Sequence, residues 1–114
     1  MIDQDEFAPA LFLQRENHSY EVSLSEFAAG EELSDERDLQ GGGYTWQALI
    51  KYLVRTRAPQ IVDQIDYGSE GDTFVSFSSS LEAIRAVGRL VQSATRDPEL
   101  LREAFDKADP DELE

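Results

Sequence analysis

Cysteine is absent from the 114 residues, which removes disulfide frameworks, thiol nucleophiles and cysteine-based zinc sites together and fits a reducing compartment. Histidine occurs once, at His18. A metal site or general base there would need partners from elsewhere in the chain, and the surrounding "ENHS" reads as a polar turn. Positive charge is scarce: 24 acidic residues face ten basic ones for a net charge of −14. A bare nucleic-acid backbone or an anionic membrane surface would repel such a chain, so a basic partner is favoured. Lysine is scarcer still, present only at Lys51 and Lys107, and an acid-rich, lysine-poor composition also marks adaptation to high salt. No stretch approaches the roughly 18 apolar residues of a membrane helix. The N-terminal "MIDQDEFAPALF" begins acidic, with too short an apolar run for a signal or transit peptide, so a soluble cytoplasmic protein is expected.

With 40% hydrophobic residues, the length suits a single domain spanning 1–114, with 1–7 and 109–114 expected to fray. The apolar run "APALFLQR" at 8–15 and the alternating "YEVSL" at 20–24 read as two strands joined at "ENHS", an antiparallel hairpin. Residues 25–43 carry six carboxylates and one arginine; one or two helical turns fit there, but the default is a solvated acidic segment. From Trp46 onward, Leu49, Ile50, Leu53 and Val54 recur on one helical face, with Thr45 suited to the N-cap and Tyr44 placed to staple onto Leu49. "AP" at 58–59 stops this helix, and Pro59 starts a short second one through Ile61, Val62 and Ile65.

"IDYGSEGDTFVSFS" at 65–78 reads as a second hairpin turning in "GSEG", with a β-rich arm at Phe74, Val75 and Phe77. A long helix follows, with capping-box spacing at Ser79 and Glu82 and a buried stripe of Leu81, Ile84, Val87 and Val91. Asp97 and Pro98 open the last helix, which carries Leu100, Leu101, Ala104 and Phe105. The fold class is therefore α+β: an antiparallel sheet of two hairpins with helices packed on one face, in the order β-β-α-α-β-β-α-α. Charge follows the elements. Residues 1–43 hold 11 acids and two bases, whereas 44–57 hold three bases and no acid, a contrast that ordinary ion pairing would partly absorb.

The glycine run "GGGYTW" is not a phosphate loop. It lacks the lysine and hydroxyl residue of a P-loop and the spacing of a dinucleotide loop, and it follows a carboxylate-rich segment. Its glycines are expected to let the backbone turn sharply or pass close to another segment. Trp46, in phase with the apolar stripe, is expected in the core. "DYGSEGDTFVSF" fails as a calcium loop, because Gly68 and Phe77 stand at its third and twelfth positions. The acids of 26–38 carry the most information, as an electrostatic surface for a basic partner.

Gly41, Gly43, Tyr44 and Trp46, then Ala58 and Pro59, then Asp66, Gly71 and Phe74, followed by two closing helices, give the chain a pattern that resembles the immunity protein 51 family of bacterial polymorphic toxin systems. The likeness runs from about residue 8 to Ala108, and Gly41, Gly43, Trp46, Pro59, Gly71 and Phe74 are its structural motif residues. It differs around 74–79, where the serine-rich "VSFSSS" of 75–80 replaces the aromatic-rich, charged arm that the resemblance would lead one to expect. The resemblance implies a non-enzymatic protein, with no cofactor or metal, that binds and neutralises a cognate toxin domain by occluding its active or substrate-binding surface. The expected contacts are Glu31, Glu32, Asp35, Glu36, Asp38 and Tyr44, facing a basic surface on the toxin. An acidic adaptor or nucleic-acid mimic acting on a host regulator is the alternative reading, and a small carboxylate-dependent hydrolase is a third.

Overall fold

Four strands build one antiparallel sheet. β1 (Leu11–Gln14) pairs with β2 (Tyr20–Leu24), β2 with β4 (Phe74–Ser78), and β4 with the two-residue β3 (Asp66–Tyr67), giving the order β1-β2-β4-β3. The two predicted hairpins are thus zipped together along β2 and β4, with Val22 opposite Ser76 and Leu24 opposite Phe74. The computed structural model describes residues 2–113. Strand alternation sends Phe12, Val22, Leu24 and Phe74 inward, all at most 1% exposed. Leu11, Leu13, Val75 and Phe77 take the opposite face, where Arg15 lies over the Phe77 ring at 4.5 Å.

Helices α2 (Gly43–Arg57) and α3 (Leu81–Arg96) pack against the sheet, and α4 (Pro98–Lys107) packs on both of them. Most of the apolar stripe read from the sequence is buried: Trp46, Leu49, Ile50 and Leu53 of α2 and Ile84, Val87 and Val91 of α3 are fully enclosed, whereas Leu81, at the first turn of α3, is only half-buried. Burying each large side chain of this kind stabilises the fold by about 2–3 kcal/mol. Asp97 caps α4 as expected, its Oδ1 accepting from the Glu99 and Leu100 N–H groups at 3.0 and 3.3 Å.

Several boundaries differ from the sequence reading. α2 begins at Gly43 with Gly42 as its N-cap, three residues before the expected Thr45 cap. Tyr44 consequently sits in the first helical turn at 48% exposure, so no staple onto Leu49 forms. The α3 cap is Ser80, whose Oγ accepts from the Ala83 N–H at 3.1 Å, so the Ser79–Glu82 capping box does not form. The β3–β4 hairpin turns at Gly71–Asp72 between the paired Glu70 and Thr73, at the last residue of "GSEG" and the one after it. After Pro59 the chain forms a 3₁₀ turn (Pro59–Gln64) rather than an α-helix. Its three-residue period aligns Val62 with exposed Pro59, so Val62 is 41% exposed while Ile61 and Ile65 are buried.

The acidic segment is ordered as a 3₁₀ turn (Ala28–Gly30) and helix α1 (Glu31–Glu36), anchored by buried Leu33 and Ser34. Some residues of the segments expected to fray touch the body of the fold. Phe7 lies in the core, Glu6 pairs with Arg85 at 2.9 Å, and Glu112 pairs with Lys51 at 2.6 Å. Met1 and Glu114 lie outside the described residues.

Candidate functional site

The glycine run is where three segments meet. Gly41 has φ +76°, a left-handed conformation that side chains disfavour, and a Cβ there would also lie 2.8 Å from Ser34 Oγ on α1. On the other side, a Cβ on Gly42 or Gly43 would run into the backbone carbonyls of Gly71 and Glu70 in the β3–β4 turn. This contact supplies the helix cap that Gly42 cannot provide with a side chain. The Gly43 N–H donates to the Gly71 carbonyl at 3.0 Å, and Thr45 Oγ1 accepts from the Gly41 N–H at 3.1 Å. The expectation of close backbone approach therefore holds at Gly42 and Gly43, and that of a sharp turn at Gly41.

Clamped in this way, α1 and the β3–β4 turn form the walls of a cleft of about 510 Å³. Glu26, Phe27, Glu31, Ser34 and Asp35 line one wall, and Asp72 stands on the other. The Phe27 ring stacks on buried Trp46 with centroids 6.4 Å apart and an interplanar angle of 26°. Ser34 is 2% exposed, and its Oγ has no hydrogen-bond partner among the described residues. A buried hydroxyl left unpaired costs about 1–3 kcal/mol. Trp46 Nε1 is likewise buried without a partner, and nothing in the structure explains it.

The charges of the cleft are not neutralised from within. Among the described residues, ion pairs join Arg15 to Glu21, Arg37 to Glu36 and Asp106, Lys51 to Glu112, Arg57 to Glu103, and Arg85 to Glu6. None of them reaches Glu26, Glu31, Asp35 or Asp72. Glu26 Oε1 accepts from the Ala28 N–H, at 2.9 Å, and Asp72 Oδ1 from the Thr73 hydroxyl, at 3.4 Å.

Elsewhere carboxylates are well served. Tyr52 Oη donates to Glu103 at 2.7 Å and Arg57 adds an ion pair at 2.9 Å. The phenol's hydrogen bond is the leading cause that holds the Glu103 carboxyl below its usual range, and Arg57 reinforces it against the opposing effect of partial burial. Tyr67, beside Lys51 and Arg55, has its phenol pushed up to about 12, first by burial and then by the nearby charge of Glu112.

Of the six contact residues expected from sequence, two line the cleft. Glu31 and Asp35 enter the cleft together. Glu32 faces a separate groove beside Leu101 and Arg102, and Glu36 is paired with Arg37 at 3.5 Å. Asp38 sits in the turn after α1 with φ +57°, and Tyr44 stands exposed on α2. Sequence reasoning missed Ser34 and Asp72, and it counted Glu26 in the acidic surface of 26–38 without naming it as a contact. Spacing held part of the signal, since Glu31, Ser34 and Asp35 stand at i, i+3 and i+4 and share a face once α1 is helical. Asp72 had none, because only tertiary packing brings the hairpin turn to α1.

Fold and cleft together define a small acidic α+β protein with a recess whose carboxylates have no ion-pair partner among the described residues. The family model for Immunity protein 51 matches residues 11–110, and the chain belongs to that family. It is therefore an immunity protein of toxin systems. No curated protein and no solved structure matches it.

Proposed function

We propose that this protein binds a cognate toxin domain in the cytoplasm and neutralises it by covering its active or substrate-binding surface, acting through binding and not through chemistry of its own. The family match over residues 11–110 is the observation that carries this reading. The unpaired acids around α1 add a physical route. They attract a basic surface, raising the association rate and the selectivity more than the final affinity. Desolvation of a few anchors then completes the contact, with Tyr44 as the exposed aromatic near the cleft's glycine floor. Glu31, Glu32, Asp35, Glu36 and Asp38 remain the proposed acidic contacts, joined now by Glu26 and Asp72.

The test is co-purification with the product of the neighbouring gene, followed by growth rescue of cells expressing that product. Stable association and rescue are expected. No association and no rescue would overturn the reading and return attention to an adaptor for a host regulator.

A further inference from the structure

Three features of the cleft between α1 and the β3–β4 turn point to one chemistry. Glu26, Glu31, Asp35 and Asp72 line it without an ion pair among the described residues. Ser34, itself 2% exposed, also lines it and keeps its hydroxyl unpartnered. Phe27 adds an aromatic ring held in place by its stack on Trp46. We propose that this cleft receives the guanidinium of an arginine side chain presented by the partner protein.

The chemistry selects among cations. A guanidinium offers a planar fork of N–H donors, which suits a recess lined by carboxylates, and it stacks on aromatic rings. An ammonium is a compact, strongly hydrated point charge that gains little from Phe27. A metal ion finds no ready donor set, since among the described residues no three acidic or histidine side chains are grouped to hold one. About 510 Å³ accommodates the aliphatic stem as well as the head group. The glycines account for the rigidity of the site, because the close approaches at Gly41, Gly42 and Gly43 fix the distance between its walls. Naming the bearer as a toxin rests on the immunity reading. The guanidinium assignment does not.

Isotope-labelled full-length protein, titrated with N-acetyl-arginine amide and separately with N-acetyl-lysine amide and followed by NMR, tests the assignment. Saturable shifts confined to the amides of 26–35, 41–43 and 71–73 are expected, with the arginine probe binding several-fold more tightly than the lysine probe. The double substitution Glu31→Gln/Asp72→Asn should weaken the arginine probe by about tenfold. Ser34→Ala, which removes only a buried hydroxyl, should weaken it less while leaving the amide spectrum dispersed. Shifts spread over distant acids such as Asp109 and Asp111, equal binding of the two probes, or undiminished binding in the double variant would each overturn the proposal. Growth rescue separates the two readings. Rescue by the wild-type protein without cleft binding sinks only the guanidinium site, whereas cleft binding without rescue sinks only the immunity reading.

Discussion

The cleft and the seam between α2 and α4 use the same residue types to opposite ends. Along the seam every interacting carboxylate meets a cation or a phenol: Glu103 takes Tyr52 and Arg57, and Glu112 takes Lys51. In the cleft, four carboxylates share one recess with no cation from their own chain among the described residues. Like charges held together cost stability that opposite partners would return. The seam's charges therefore serve the fold, and on the proposed reading the cleft's charges serve a partner.

The largest effect is expected from disturbing the frame that gathers those charges. In Gly43→Ala the new methyl would meet the carbonyls of Glu70 and Thr73, backbone atoms with little freedom to yield, so the substitution should cost about 3 kcal/mol in denaturant unfolding. A loss below about 1 kcal/mol would mean that the turn and the helix are not locked together. Next comes a direct contrast of the two regions. The triple change Glu31→Gln, Asp35→Asn and Asp72→Asn should slow association with the toxin by about tenfold at low salt and flatten its salt dependence, while Tm stays level or rises. Glu103→Gln should do the reverse, lowering Tm and leaving the association rate alone. A drop in Tm in the triple variant would dissolve the distinction.

Much of this architecture was legible in the sequence. The stripes Trp46–Leu49–Ile50–Leu53 and Ile84–Val87–Val91 are buried as their period requires, because a helix has one way to hide such a face. Caps were harder to read. Thr45 looks like an N-cap, but the Gly71 carbonyl performs that task from 28 residues away, and no local pattern announces it. The site was half legible for the same reason. Glu31 and Asp35 share a helical face by spacing, whereas Asp72 joins them only through the packing of glycines against a hairpin turn.

Acid titration should separate the regions further. The Glu103 carboxyl is held below its usual range, led by the hydrogen bond from Tyr52. The unfolded chain therefore takes up that proton at a higher pH than the folded chain does. The stabilisation is whole above the ordinary carboxylate range and is lost as pH falls through the lowered value. Tyr52→Phe removes the leading cause, so its Tm deficit relative to wild type should be widest near neutrality and should shrink in acid. A deficit independent of pH would assign the loss to packing around the ring instead.

The smallest expected effect probes the seam at its far end. Tyr67 titrates at about 12, raised first by burial and then by the charge of Glu112, with Arg55 acting in the opposite sense. A phenol raised in the folded state contributes stability that is present below the ordinary value of 10.0 and is lost as pH climbs through about 12. Subtracting the phenolate absorbance of Tyr67→Phe from that of wild type should isolate one step near pH 12. Glu112→Gln should move this step down and Arg55→Gln should move it up. Glu112 belongs to a segment whose sequence suggests fraying, yet its carboxylate lies 2.6 Å from Lys51 Nζ, and that amine stands 5.8 Å from the Tyr67 ring. A tail that spent its time in solvent would leave the Tyr67 step unmoved by Glu112→Gln, and the seam would then end at Glu103.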